Sequence, residues 1–245
     1  MTEQQTSAKG TQYEEWDPPD GRLSVPPVPK EAINLNVQGR RASSPQQGFG
    51  PLWQRTYQIR LVGSTATPTE VIRVWRQQCA SFWPPGNRFY GADRPIEAGD
   101  VGLLNLAGPA GITIATGVYV ASADEDSFRF LSVEGHMFGG MITFSAREED
   151  GTTIVQVQAL LRSSDPVYEI GQRLGFAVKS EDQFWHDTLI NLASHFGVAG
   201  EPVHQEAVLL DRSIQWSRVT NIWYNAAIRT TLYLPIRWVR KLLAR

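Results

Sequence analysis

The chain has 245 residues, of which 42% are hydrophobic and 20% charged, and this suits one globular domain with appended segments. Its formal net charge of −2 gives no reason to expect nucleic acid as a partner. The single cysteine, Cys79, excludes an internal disulfide and favours a reducing compartment. The polar start lacks the apolar core of a secretory signal, and no uncharged apolar run reaches about 18 residues, so neither a signal peptide nor a transmembrane helix is predicted.

Residues 1–51 are predicted to form a Pro-rich, largely extended arm. The prolines include Pro18, Pro19, Pro26, Pro27, Pro29 and Pro45. Such a segment buries too little apolar surface to offset its ordering entropy, so a disordered tail is one interpretation. The other is an arm that binds a protein partner, with Trp16 and residues 23–29 lying extended in a groove.

The domain proper is predicted over residues 52–198. Residues 56–62 alternate apolar and polar side chains, as a half-buried strand does. Thr67 and Pro68 are suited to begin a helix, with Glu70 closing a capping box, and the prolines after Trp83 end it. Further strands are predicted at residues 101–107, 112–121, 128–133, 141–147 and 152–162.

Residues 166–196 have the pattern of one long helix. Asp165 is a suitable N-cap, Pro166 fits the first helical position, and Gly197 suits a left-handed C-terminal cap. The apolar residues at helical spacing are Val167, Ile170, Leu174, Ala177, Trp185, Leu189, Leu192 and Phe196. We therefore predict an α+β fold in which a curved antiparallel sheet grips a long C-terminal helix.

The order of elements and three short motifs resemble a known superfamily. The motifs are Gly135-His136 with Gly139, Ser163-Ser164-Asp165-Pro166, and Phe184-Trp185 followed by Leu189. Over residues 52–197 the chain resembles the START-like (SRPBCC) helix-grip superfamily, and within it an uncharacterised bacterial branch of unknown function. A Pro-Glu pair tends to follow Gly-His in that branch, whereas Met137-Phe138 stands here, so no role of that acid is carried over.

The resemblance implies a cavity between sheet and helix that often holds an apolar ligand, without implying a shared reaction. The side chains predicted to line it are Trp75, Phe82, Tyr90, Val157, Leu174 and Trp185. Ordinary core packing explains the aromatic residues around the first helix, Trp75, Phe82 and Tyr90, equally well.

Glu181 and His136 are the weak candidates for catalysis, and no catalytic residue is assigned. Glu181 falls on the apolar stripe of the long helix, where burial would raise the pKa of its carboxyl group, unless a helix bend turns it outward. His136 lies in a Gly-rich hairpin that is either a lid facing a ligand or a flexible loop with a solvated histidine.

No metal or cofactor is expected. His186 and His195 point to nearly opposite sides of one helix, and no spacing matches a zinc or di-iron site. The sequence also lacks a nucleophile elbow and a phosphate-binding loop.

Residues 199–245 are predicted to be a basic, aromatic, helical extension, with Pro235 starting a final short helix. From residue 212 onward there are cations and aromatic rings but no acid, a composition typical of a bilayer interface. The residues predicted to contact a membrane or a membrane-protein partner are Arg218, Trp223, Arg229, Tyr233, Arg237, Trp238, Arg240 and Lys241. The alternative is a helix packed on its own domain or on another subunit.

Three functions follow, in order of preference. The first is a non-enzymatic helix-grip protein that holds a small apolar ligand. The second is a peripheral subunit of a membrane-associated complex, held by the arm and the basic extension. The third is a cyclase- or hydrolase-like enzyme that uses Glu181 or His136. All three suit a cytoplasmic protein, in the second case at the inner face of the membrane.

Overall fold

A computed structural model describes residues 19–108 and 111–243, with Phe176 and residues 236–243 described as backbone only. The strands are β1 (Ala42–Ser43), β2 (Leu52–Arg60), β3 (Arg88–Tyr90), β4 (Val101–Ala107), β5 (Thr113–Ala123), β6 (Ser127–Val133), β7 (Phe138–Glu149), β8 (Thr152–Ser163) and β9 (His204–Asp211). The α-helices are α1 (Pro68–Gln77), α2 (Pro166–Arg173), α3 (Phe176–His195) and α4 (Ala226–Leu243). Trp16 lies outside the described residues.

In the described chain all nine strands belong to one curved antiparallel sheet. Its order is β3-β4-β5-β6-β7-β8-β2-β9, with β1 paired to β6. The predicted strands are confirmed to within a few residues of their ends, and strand 101–107 matches β4. The two-residue β1, the three-residue β3 and the edge strand β9 were not predicted.

The main core lies between one face of the sheet and the helices α1 and α3. Alternation along β2 and β8 turns Tyr57, Ile59, Val155 and Val157 toward this side, as the sequence pattern predicted. α1 packs on β7 and adds the fully buried Trp75. The side-chain oxygen of Thr67 accepts from Glu70 N, which confirms the predicted cap.

The predicted single helix over residues 166–196 is wrong at one point. Gly175 has φ 81°, a left-handed conformation that an α-helix cannot continue through, and it separates α2 from α3. Asp165 caps α2 as predicted, accepting from Val167 N and Tyr168 N. Because of the break, the stripe formed by Val167, Ile170 and Leu174 faces solvent instead of the core.

The described part of the arm lies on the second face of the sheet. Leu23 and Val37 pack with Val101, Leu103 and Val133 in a separate buried cluster. The arm therefore covers its own domain from residue 23 onward.

The extension begins with a strand, β9, which pairs with β2 at the edge of the sheet. A 3-10 helix, Trp216–Tyr224, follows and leads into α4. Pro235 lies inside α4, so the prediction that it starts a helix is wrong. The helix is capped earlier, where Asn225 Oδ1 accepts from Ile228 N.

α4 occupies a gap in the strand ladder. Pairing between β5 and β6 starts at Val118, which leaves Ala115 without a strand partner on that side. Thr230 Oγ1 accepts from Ala115 N at 3.2 Å, and Asn36 Nδ2 donates to Ala115 O at 2.7 Å. Side chains of the extension and the arm thus satisfy main-chain groups of the sheet.

Candidate functional site: the sheet–helix interior and the C-terminal surface

Aromatic rings pack together where the ligand cavity was predicted. The ring of Trp75 meets Phe128 and Phe144 edge-on, with centroids 5.7 and 5.1 Å apart. Phe144 in turn meets Trp185 at 5.6 Å. These contacts have the geometry of a packed aromatic core.

The predicted ligand-binding residues divide into three groups. Trp75, Phe82, Val157 and Trp185 are all buried in this core. Tyr90 does not face it, because Tyr90 packs against the arm on the other face of the sheet. Leu174 does not face it either, since its side chain is 69% exposed beside the helix break.

A buried group of charged side chains joins β2 to α3. Arg55 Nη1 lies 3.4 Å from Glu181 Oε2 and 3.3 Å from Asp182 Oδ1. Tyr57 donates its hydroxyl proton to Asp182 Oδ1 at 2.7 Å. Both oxygens of Glu181 are buried without a hydrogen-bond partner in the described chain.

Burial raises the pKa of Glu181 to about 7, and the nearby Asp182 adds to this, whereas Arg55 opposes it. Burial and the neighbouring carboxylates also raise the pKa of Tyr57. A carboxyl group of this kind can exchange a proton near neutral pH. Glu181 lines neither of the two pockets described below, however, so we assign it no catalytic role.

His136 is neither a ligand-facing lid residue nor a solvated one. It is buried, and its Nδ1 accepts from Phe138 N at 3.1 Å. Its main-chain oxygen accepts from the Ser164 hydroxyl. Burial lowers the pKa of His136 to about 4, so the ring is neutral at pH 7. Its Nδ1 is then free of a proton and can accept the hydrogen bond from Phe138 N that stabilises the hairpin.

Within residues 19–108 and 111–243, no group of three or more His, Cys, Asp or Glu side chains could hold a metal ion. His186 lies 3.3 Å from Gln205 Oε1 on β9, and the ring of His195 packs edge-on against Phe82. Each ring thus has its own structural neighbours.

Large apolar side chains are exposed along the extension. We call Trp216, Val219, Trp223, Ile228 and Leu232 the C-terminal surface. Trp216, Trp223 and Leu232 are 71%, 76% and 68% exposed. The ring of Trp216 touches only the edge of Phe49, with centroids 5.5 Å apart, among the ring pairs described. Large apolar side chains this exposed make the C-terminal surface a candidate interaction site.

The exposed apolar residues of α2 and its C-terminal end lie beside the C-terminal surface. Helix α2 contacts the 3-10 helix, and the Tyr168 hydroxyl accepts from Ala227 N at 3.0 Å. The contact residues predicted from the sequence did not include the exposed positions Trp216, Leu232 and Ile170. Their apolar character was visible in the sequence, but their exposure depends on how α2 and the extension pack.

The predicted contact residues occupy different environments. Trp223 belongs to the C-terminal surface, and Tyr233 is half-buried. Arg229 donates through Nε to Asn36 Oδ1 at 2.8 Å and is thereby tied to the arm. Arg218 lines a small pocket. The side chains of Arg237, Trp238, Arg240 and Lys241 lie outside the described residues.

Two pockets are described. One of about 150 Å³ lies beside the C-terminal surface and is lined by Arg41, Glu134 and Arg218, among others. Another of about 500 Å³ lies beside β9, where the buried Arg162 pairs with Asp211. None of the six predicted ligand-binding residues lines either pocket.

No helix in the described part of the chain combines the length and the apolar content that crossing a bilayer requires.

The fold is that of a helix-grip protein, because a curved antiparallel sheet packs one face on α3. No protein-family model and no curated protein matches the chain. Among solved structures, protein Ms6760 from Mycobacterium smegmatis is 15% identical with a TM-score of 0.43, and the match covers 60% of this chain and 91% of that one.

Two further solved structures are also similar. Major latex-like protein 151 from Panax ginseng is 13% identical with a TM-score of 0.42, covering 60% of this chain and 99% of that one. Ara h 8.0201 is 11% identical with a TM-score of 0.42, covering 59% and 97%. At these identities the similarity concerns the fold and does not extend to function.

Proposed function

We propose that this helix-grip protein works at a membrane surface and that its C-terminal surface docks the domain on an anionic lipid bilayer. The observation that carries the proposal is the exposure of Trp216 and Trp223, at 71% and 76%, on a segment without acids. Tryptophan is enriched at the level of lipid headgroups, where its ring is half in apolar surroundings and its N–H stays hydrated.

The positive charge of the segment from residue 212 onward favours an anionic lipid bilayer over a protein as the partner of the C-terminal surface. The cations from residue 212 onward are Arg212, Arg218, Arg229, Arg237, Arg240, Lys241 and Arg245. Each cation near an anionic leaflet contributes about 1 kcal/mol, and this attraction needs no fixed partner geometry. The rest of the chain is acidic enough to bring the formal net charge to −2, so the basic character is local to this segment.

The fold supplies a rigid support for such a surface. β9 is paired to β2, α4 is bonded to β5 through Thr230, and Asn221 Nδ2 donates to Gln47 O and Ser164 O. The extension is therefore held by the sheet, the arm and the start of α2. A pre-ordered surface docks without the entropy cost of folding on contact.

The test is flotation of the full chain with vesicles of phosphatidylcholine alone or mixed with phosphatidylglycerol. We expect binding to the mixed vesicles that weakens as salt rises, because salt screens the surface charges. The double variant Trp216→Ser/Trp223→Ser should bind about 10- to 100-fold more weakly, because two large rings no longer leave water.

Val62→Ser is the matched control, since Val62 is a half-exposed apolar residue outside the C-terminal surface, and it should bind as the wild type does. Failure of the full chain to float with either vesicle type would reject the membrane and leave a protein partner as the occupant. Equal binding by the double variant would reject the tryptophans as the docking residues.

A second candidate function is binding of a small ligand between the sheet and α3, as the resemblance implies. One observation favours it: the two buried oxygens of Glu181 have no hydrogen-bond partner in the described chain and could accept from the polar group of a ligand. To admit the apolar part of such a ligand, the packed rings must move apart, namely those of Trp75, Phe144 and Trp185. Native mass spectrometry of protein taken gently from its own cells tests this, because a discrete adduct supports a ligand and a bare 27.3 kDa species rejects it.

A further inference from the structure

The small pocket of about 150 Å³ lies where four parts of the chain meet. The arm contributes Arg41 and Ser43, the β6–β7 hairpin contributes Glu134, the segment before α2 contributes Ser164, and the 3-10 helix contributes Arg218 and Tyr224. Ligand sites for drug-sized molecules enclose roughly 300–1,000 Å³. This pocket has room for one compact polar group, and it is too small for an acyl chain.

Two arginines line this pocket, Arg41 from the arm and Arg218 from the 3-10 helix. Within the described part of the chain, the side chains of Arg41 and Arg218 form no hydrogen bond and no ion pair. Arginine carries five N–H donors in a planar fork that matches a carboxylate or a phosphate. Two arginines from different segments that line one pocket favour an anion with several oxygens.

Further positive charge surrounds the same wall. Arg40 lies over the ring of Tyr224, with its guanidinium carbon 4.7 Å from the ring centroid. Arg229 lies near Arg40, and burial together with Arg40 lowers the pKa of Arg229. Both cations add to the positive potential near the pocket, and Arg40 also holds the ring of Tyr224 in position.

One carboxylate, that of Glu134, reduces the positive charge of the pocket wall. Glu134 lines the pocket, and its Oε2 accepts from the main-chain N of Arg41 at 3.1 Å. That bond occupies part of the carboxylate and fixes Arg41 at the pocket edge. Two lining guanidiniums outnumber the single lining carboxylate, so the wall remains net positive.

We propose that this pocket binds a phosphate group, and that on a membrane the group is the headgroup phosphate of an anionic lipid. The lipid source rests on the proposed membrane function, whereas phosphate recognition does not. A phosphate group has enough oxygens to accept from both Arg41 and Arg218, and Ser43, whose hydroxyl can donate, also lines the pocket. The pocket would give headgroup recognition beside the apolar anchors of the C-terminal surface.

The first measurement uses sn-glycerol 3-phosphate as a soluble probe and the full chain, by isothermal titration calorimetry. We expect saturable binding by the wild type and no binding of glycerol. Arg41→Gln should weaken the affinity about tenfold or more, because one charge-assisted fork is lost. Arg41 is exposed, so the variant should fold, and its unfolding midpoint verifies this.

Arg212→Gln is the matched control. Arg212 is an exposed cation of the extension that does not line the pocket, so this variant should bind the probe as the wild type does. Absence of probe binding by the wild type, or equal binding by Arg41→Gln, would overturn the proposal.

The second measurement separates the two sources of phosphate. The same proteins are floated with vesicles of phosphatidylcholine mixed with phosphatidic acid, whose phosphomonoester resembles the probe. Weaker binding of Arg41→Gln to both probe and vesicles supports a lipid headgroup in the pocket. Probe binding without vesicle binding supports a free phosphate compound and rejects both the lipid source and the membrane function. Vesicle binding without probe binding overturns the pocket and leaves the membrane function standing.

Discussion

Gly135 lies against the main chain of Tyr224 so closely that a Cβ atom on Gly135 would overlap the Tyr224 carbonyl oxygen. Gly135 has φ +87°, and its own carbonyl oxygen accepts from Ala226 N at 2.8 Å. The Gly-His motif of the β6–β7 hairpin therefore fixes the position where the 3-10 helix passes into α4. The motif supports the C-terminal surface, and the ring of its histidine accepts from Phe138 N within the hairpin.

Gly135→Ala should loosen this junction. The substitution adds backbone strain at positive φ and forces Tyr224 away, so we expect a loss of unfolding free energy of about 2 kcal/mol or more. Gly200→Ala is the matched control, because Gly200 has a similar φ of +81° but no neighbour within 4 Å of its Cβ position, and strain alone costs about 1 kcal/mol. Urea unfolding measures both, and limited trypsin digestion should cut the extension faster in Gly135→Ala. Equal losses in the two variants would show that the contact with Tyr224 does not matter.

Glu181 should make the protein less stable as pH rises. Its pKa is about 7 in the folded chain against an ordinary 4.5, so the folded state keeps a proton that the unfolded state has lost. The stabilisation is complete below pH 4.5 and is lost as pH rises through 7, with an upper limit of about 3 kcal/mol. In urea unfolding from pH 5 to pH 8, the unfolding free energy of the wild type should fall relative to that of Glu181→Gln, because only the wild type carries this carboxyl group. The surface substitution Glu97→Gln should have the same dependence of unfolding free energy on pH as the wild type. If Glu181→Gln also has the wild-type dependence, Glu181 is not the titrating group.

His136 should contribute a slope of the opposite sign. Its pKa is about 4 when folded against the ordinary 6.5, so the unfolded chain binds a proton that the folded chain rejects. This stability is present above pH 6.5 and is lost as pH falls toward 4, again by at most about 3 kcal/mol. The two slopes oppose each other in the wild type. Stability of Glu181→Gln should therefore rise between pH 4.5 and 6.5.

Adding His136→Asn to Glu181→Gln should flatten that rise, because asparagine does not titrate but can still accept from Phe138 N two residues later. A rise that persists in the double variant would mean that another group carries it.

Substitution of Asn225 should reduce the unfolding free energy by more than the loss of an ordinary helix cap does. Its Oδ1 caps α4 at Ile228 N, and its Nδ2 donates to Asp165 Oδ2 at 2.8 Å, joining the first residues of α4 and α2. Asp165 is fully buried, so Asn225→Ala removes a cap and also leaves a buried carboxylate oxygen unpaired. We expect a loss of about 2–4 kcal/mol by urea unfolding.

Asn225→Asp is the comparison variant for this pair. It keeps a cap acceptor but sets a second carboxylate beside Asp165, so it should lose stability mainly at neutral pH and recover part of it in acid. Equal unfolding free energies of Asn225→Asp at neutral and at acidic pH would argue against the hydrogen bond between Asn225 and Asp165.

Local signals were sufficient for much of the fold. Alternation of apolar and polar residues predicted the strands, and Thr67 and Asp165 cap the helices that their positions predicted. Gly197 has the predicted left-handed φ of +77°. Each of these features depends on residues within a few positions along the chain, and for that reason the sequence alone is informative about them.

The break at Gly175 was not predictable in the same way. Helical spacing of apolar residues continues from Ile170 to Trp185 with Glu181 as the one polar position, and glycine is tolerated within helices at a cost of about 1 kcal/mol. Only the packing of α2 against the 3-10 helix and of α3 against β2 decides that the chain bends there. That bend turns Leu174 to solvent, and a residue placed in the interior by its spacing lies instead on the surface.

By itself, then, the sequence determined an α+β protein with an antiparallel sheet, two capped helices and a basic aromatic C-terminal segment, because periodicity, capping and charge are properties of neighbouring residues. Tertiary structure alone decided which of these parts meet. Arg55 lies beside Glu181 and Asp182 from a distant part of the chain, Gly135 contacts Tyr224, and Arg41 and Arg218 line one pocket. Such pairings depend on strand order and helix packing, and no local pattern in the chain encodes them.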